Sequence, residues 1–261
     1  MNLFDSHSHY NDEKFDIDRE QIIKETLSNG VSNFIVAGYN IESSKKAIEI
    51  AKEYEEIYAI VGISPNDLND IIIEDINNSV SKIEELASSD KVVAIGEIGL
   101  DYYWNKENKE LQKEVFIKQI DLANKLDLPI VIHTRDATID TINILKENNV
   151  IRKGIFHCCP LNIELVKEAI KLGFYISLSG VITFKNVKNA EEIINIIPED
   201  KLLIETDSPY LSPEPMRGKR NNSINVKYVA EKIASVKNKT IEEIAEITSD
   251  NTKRIFNIKQ R

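Results

Sequence analysis

The chain has only four histidines, His7, His9, His133 and His157, and each falls at the end of a short apolar run. Two carboxylates end similar runs: Glu97 in Val-Ala-Ile-Gly-Glu and Asp207 in Leu-Leu-Ile-Glu-Thr-Asp. Imidazole nitrogen and carboxylate oxygen together form a ligand set for divalent metal ions. Gathered on one rim of a parallel sheet, these six side chains would make the chain a metallohydrolase. His7 and His9 are two residues apart, and strand residues at that spacing share a face, so both can chelate one ion. Asp5 is expected on the same face, where it could orient one imidazole through its second nitrogen. His133 or His157 alone reads equally well as a core histidine bonded to backbone; together on successive strands they fit a ligand role. Glu97 lies between the two histidine pairs in sequence and is placed to bridge two ions, with a salt-bridged glutamate as the plainer alternative. Asp207 is expected to bind metal and accept the proton of an attacking water. Glu205, two residues earlier, competes for that role.

Elements that could position these groups recur along the whole chain. Short β-branched or aromatic runs predict strands over residues 3–6, 33–37, 58–63, 92–97, 130–133, 154–157, 174–177 and 202–206. Their continuous apolarity suits strands buried on both faces. Amphipathic stretches over 43–54, 78–88, 109–126, 138–148 and 162–172 predict helices between them. Gly30, Gly154 and Gly173 stand where helix C-caps would precede strands. Eight strands, each followed by a helix, predict an α/β fold, a closed (β/α)8 TIM barrel with the metal site at the C-terminal ends of its strands. No Gly-x-Gly-x-x-Gly turn supports the alternative of an open doubly wound sheet. No Pro-, Gly- or Ser-rich linker divides residues 1–261, so one domain is expected.

Composition narrows the partners. A net charge of −10 over 261 residues argues against gripping long duplex nucleic acid across a wide basic surface. A local cationic pocket for one or two phosphates remains compatible with it. Cys158 and Cys159 are adjacent, a poor geometry for an ordinary disulfide, which favours a reducing cytoplasmic setting. No apolar run approaches the roughly 20 residues of a membrane span, and the start Met-Asn-Leu-Phe-Asp has no basic leader region. No membrane partner is expected.

In order along the chain stand Asp5-Ser-His7-Ser-His9, Gly96-Glu97-Ile-Gly-Leu-Asp-Tyr-Tyr103, Leu128-Pro-Ile-Val-Ile-His133-Thr-Arg-Asp-Ala137 and Phe156-His157-Cys158. Glu205-Thr-Asp207-Ser-Pro-Tyr-Leu211, Arg217-Gly-Lys-Arg-Asn221 and Asn251-Thr-Lys-Arg-Ile-Phe256 complete the set. This set resembles the TatD family of metal-dependent deoxyribonucleases over essentially the whole chain. The resemblance implies a TIM barrel, two divalent ions (Mg2+, Mn2+ or Zn2+) and hydrolysis of phosphodiester bonds in DNA, often from a 3′ end. It implies that His7, His9, Glu97 and Asp207 hold one ion and that Glu97, His133 and His157 hold the second. Three places depart from the family pattern. Gly-x-His-Pro-His reads Gly62-Ile-Ser64-Pro65-Asn66, the residues after His157 read Cys158-Cys159-Pro160, and Met216 replaces a histidine.

Within that reading, Asp207 and Glu97 are the catalytic carboxylates. Arg217, Lys219 and Arg220, in the loop after the last strand, are candidates to neutralise phosphate oxygens, with a solvated basic turn as the alternative. Arg135 is a further phosphate candidate, its alternative being an ion pair to Asp136 or Glu97. Tyr102, Tyr103 and Trp104 could stack on a terminal base or merely cap the barrel mouth. An acidic body with one small basic lip suits single-stranded or 3′ DNA ends, bound by a monomer or weak oligomer. A binuclear hydrolase of esters or amides is the competing activity, and the cationic lip argues against it. A non-enzymatic, metal-stabilised barrel is a third reading, motivated by Ser64, Asn66 and Met216.

Overall fold

A computed structural model describes residues 2–68 and 75–259. Eight strands form one parallel sheet in sequence order: β1 (Leu3–Ser8), β2 (Val31–Ala37), β3 (Ile57–Val61), β4 (Val92–Asp101), β5 (Ile130–Arg135), β6 (Gly154–Phe156), β7 (Tyr175–Leu178) and β8 (Leu202–Ile204). The last strand returns to the first: the His9 amide donates to the Ser208 carbonyl at 2.7 Å and the Asp207 amide to the His7 carbonyl at 3.0 Å. This seam makes the sheet a barrel. The strands alternate with α1 (Arg19–Ser28), α2 (Ile41–Glu53), α3 (Ile76–Leu86), α4 (Lys109–Leu126), α5 (Thr138–Glu147), α6 (Ile163–Lys171), α7 (Ala190–Ile196) and α8 (Val226–Lys237), and α9 (Ile241–Ile255) follows the last of them. Among the described residues no helix is long and apolar enough to cross a membrane.

Strand alternation sorts the core into two layers. Phe4, Ile35, Ile60, Val131, Ile155 and Leu203 pack together inside the barrel, joined by Ile255 and Phe256 from the end of α9. Their neighbours Phe34, Ile95, Ile132, Phe156 and Ile204 pack against the helices instead. The helices are cut by local chemistry. Asn40 caps α2 by accepting from the Ser43 amide, while Ser43 Oγ reciprocates at the Asn40 amide. Gly30 and Gly173, at φ of 88° and 94°, take the left-handed turn expected before a strand. Gly154 does something else. It opens β6 so close to β5 that an added Cβ would stand 1.9 Å from the Ile130 carbonyl oxygen.

Two irregularities aim the site. The β1–β2 register shifts between Asp5 and Ser8, and the β4–β5 register shifts between Gly96 and Ile98. Strand β4 also continues past Glu97 to Asp101, so Glu97 is set by an irregularity within a strand and not by a strand end.

Candidate metal centre

The six expected ligands converge at the C-terminal mouth of the barrel. Glu97 lies at the centre, its oxygens 3.4 Å from His7 Nε2, 3.6 Å from His9 Nε2, 3.4 Å from His133 Nδ1 and 3.8 Å from His157 Nε2. Asp207 Oδ1 stands 3.2 Å from His9 Nε2 and 3.8 Å from His7 Nε2. Asp207 holds a left-handed backbone, at φ 56°, a conformation that aspartate tolerates better than most residues.

Each imidazole is turned by what holds its other nitrogen. His9 Nδ1 donates to the Ala37 carbonyl at 3.1 Å, which leaves Nε2 for the centre. His133 is reversed: its Nε2 donates to Asp101 Oδ2 at 2.9 Å, so Nδ1 faces Glu97. His157 Nδ1 lies 3.5 Å from Glu205 Oε1. His7 stacks on His157 with centroids 3.9 Å apart, and its buried Nδ1 has no hydrogen-bond partner.

The electrostatics follow from burial and crowding. Burial alone would raise the Glu97 carboxyl, but the His157 imidazole, the contact with His7 and the fields of His133 and His9 hold it well below the usual carboxylate range. Burial opposes charge on His157, yet Glu97 first and Glu205 behind it raise it to about 9. Burial and the adjacent His157 push His7 down, whereas Asp207 raises His9 against its burial. Asp207 is partly buried, and its contact with His9 overcomes the resulting desolvation to hold the carboxyl low.

The donor set fits divalent metal. His7 Nε2 faces His9 Nε2 at 3.2 Å, and His133 Nδ1 faces His157 Nε2 at 3.2 Å. Two imidazole nitrogens so placed can share at most one proton, and buried carboxylate oxygens flank both pairs. His7, His9 and Asp207 form one group, and His7, Glu97 and His157 another, with ligand atoms within 4.8 Å of one another in each.

Several expectations change on contact with the structure. Asp5 does not orient a histidine ring. It accepts from the Thr206 amide at 2.9 Å and from Thr206 Oγ1 at 2.5 Å, because the shift in β1 breaks the alternation that would put it beside His7. Tyr102 is not a lip residue either: it is buried, donates to Asp140 Oδ2 at 2.6 Å and lies under Lys109. Arg220 is already engaged, bonding Asp18 at 2.5 Å and covering Phe15. Arg217 donates to the Ser212 carbonyl at 3.0 Å and stacks over Phe184, while Lys219 is exposed. Arg135 pairs with neither Asp136 nor Glu97 but lies 3.8 Å over the exposed Tyr103 ring, 5.6 Å from Trp104. Glu205 sits behind His157, accepting from the Cys158 amide at 2.5 Å. Both cysteines are free.

Asp101 escaped the sequence reading. Besides His133, it accepts the Tyr103 and Trp104 amides at 2.9 Å each, tying the aromatic lip to a candidate ligand. The sequence alone does not mark it, because Glu97 already interrupts the same apolar run four residues earlier. Ser64 and Asn66 also reach the centre, Ser64 Oγ donating to Glu97 Oε1 at 3.1 Å and Asn66 Nδ2 to Asp101 Oδ2 at 3.2 Å.

An eight-stranded barrel carrying imidazoles and carboxylates at its mouth is the architecture of a metal-dependent hydrolase. The family model "TatD related DNase" matches residues 4–257, and the chain belongs to the TatD family. It is 48% identical over 257 residues to the metal-dependent hydrolase YabD of Bacillus subtilis (strain 168), covering 98% of this chain and 99% of YabD. To the metal-dependent hydrolase YcfH of Escherichia coli (strain K12) it is 36% identical over 262 residues, covering 99% and 97%. The crystal structure of YJJV, a TatD homologue from Escherichia coli K12, superposes with a TM-score of 0.92 at 26% identity, covering 98% of each chain.

Proposed function

We propose that this hydrolase cleaves phosphodiester bonds in DNA, from the 3′ end of a single-stranded or frayed strand. The observation that carries the reading is Glu97 standing within 3.8 Å of all four imidazoles. That arrangement supports two divalent ions, Mg2+, Mn2+ or Zn2+, one among His7, His9, Glu97 and Asp207 and one among Glu97, His133 and His157. By softness the ligands suit Zn2+ and Mn2+ better than Mg2+. When bound, such ions lend Lewis acidity to a phosphoryl oxygen and acidify water.

The chain's own groups supply the rest. Asp207, kept ionised by His9, accepts the proton of the attacking water. Glu97 holds the imidazoles in register and, being ionised, offsets the cationic charge of the centre. Arg135 and Lys219, exposed and without a carboxylate partner among the described residues, neutralise phosphate oxygens with Arg217. The exposed rings of Tyr103 and Trp104 offer a stacking face beside Arg135. Two free adjacent cysteines suit action in the cytoplasm, as a monomer or weak oligomer.

The test is turnover of single-stranded oligonucleotides labelled at either end, beside aminoacyl and peptide-like esters, with Mg2+ or Mn2+ added. Mononucleotides released first from the 3′ end support the reading. Ester turnover with every oligonucleotide left intact replaces it with the binuclear ester or amide hydrolase.

A further inference from the structure

Beside the ligand cluster lies a cavity of about 270 Å3 bounded by Tyr39, Ser64, Asn66, Asp67 and Tyr210, with His9 and Glu97 on the side of the centre. Ligand pockets commonly run from ~300 to 1,000 Å3, so this one takes a single small group. Its chemistry is unlike that of the basic lip. Among the described residues no lysine or arginine lines it, and its acidic members are Asp67 and Glu97. A phosphate is repelled there. The two phenol rings each stand at 66° to His9, with centroids 5.7 Å and 6.4 Å from it, and present flat aromatic walls.

Asn66, on one wall, is committed to the centre, its Nδ2 donating to Asp101 Oδ2 at 3.2 Å.

From these features we infer that the cavity binds the terminal nucleoside of the strand, its base against Tyr39 and Tyr210. The inference rests on the nuclease reading and adds to it a subsite that seats an uncharged ring next to the reacting phosphate. Tyr39 is the residue to change, because the Tyr210 hydroxyl also bonds Asp12 at 2.6 Å.

In the metal-replete protein, kcat/KM for a short single-stranded oligonucleotide is compared with that for bis(p-nitrophenyl) phosphate, which has no base. Tyr39→Ala lowers the ratio of the two about tenfold, as loss of one base–aromatic stack implies, and Tyr39→Phe restores it. The same oligonucleotide ending in an abasic residue loses a similar factor on wild type and loses nothing further on Tyr39→Ala. A ratio unmoved by Tyr39→Ala, or one that Tyr39→Phe fails to restore, overturns the inference. Should wild type cleave no oligonucleotide, the nuclease reading falls separately. Titration with adenosine then decides the cavity: saturable binding weakened about tenfold by Tyr39→Ala upholds it, and no binding overturns it.

Discussion

At the scale of single residues, the centre depends on groups that would not themselves touch metal. Asp101 fixes which nitrogen of His133 faces inward, Ala37 does so for His9, and Glu205 stands behind His157. Such outer partners commonly matter 10–100-fold to metal affinity. Asp101→Asn is expected to weaken metal binding by about that factor while the barrel stays folded, as calorimetric titration with Zn2+ or Mn2+ and circular dichroism would show. The six inward groups were legible in the sequence because each is a polar residue closing an apolar run. Asp101 was not, because it ends the same strand that Glu97 was expected to end. The role first given to Asp5 failed for a related reason. Alternation is a rule about unbroken strands, and the register of β1 shifts between Asp5 and Ser8.

Among the secondary elements, the strand–helix repeat was readable from its apolar patterning, since strands buried on both faces leave little else in those runs. Strand ends were less so, because continuation from Glu97 to Asp101 depends on pairing with β5, which one segment alone cannot reveal. Tyr102 shows the consequence. At the start of the loop after β4 it looked like a neighbour of Tyr103 and Trp104, yet it turns down to join α4 and α5 through Asp140 and Lys113. Its hydroxyl, and Lys113 after it, hold the Asp140 carboxyl below its ordinary value of 3.8. A depressed carboxylate stabilises the fold above the unfolded value and loses that contribution as pH falls through the folded one. Asp140→Asn is therefore expected to cost about 1 kcal/mol in urea unfolding at neutral pH. The difference from wild type should narrow below pH 3.8 and vanish once the wild-type carboxyl is protonated.

For the molecule as a whole, the cationic lip proposed for an acidic body of net charge −10 consists of Arg135, Arg217 and Lys219, since Arg220 is engaged by Asp18. Binding of a strand end by so few charges should depend only weakly on salt. With a slope near −0.7 per phosphate neutralised on single strands, log affinity against log salt should fall with a slope of about −1 to −2. A slope several times steeper would mean an extended track outside the mouth. The lip was read from sequence as a run of charges, and the run was visible. Which of those charges are already spent on partners far along the chain, as Arg220 is on Asp18, was not.

The central claim is that the gathered imidazoles and carboxylates hydrolyse DNA through a water whose proton passes to Asp207. It is tested most directly by single-turnover cleavage of a 3′-labelled single-stranded oligonucleotide, comparing wild type with Asp207→Asn at matched, measured metal content. The account predicts cleavage by wild type and a rate about 10²–10⁴-fold lower in the variant, the usual worth of a positioned general base. An Asp207→Asn protein that holds its metal and cuts at the wild-type rate would contradict it.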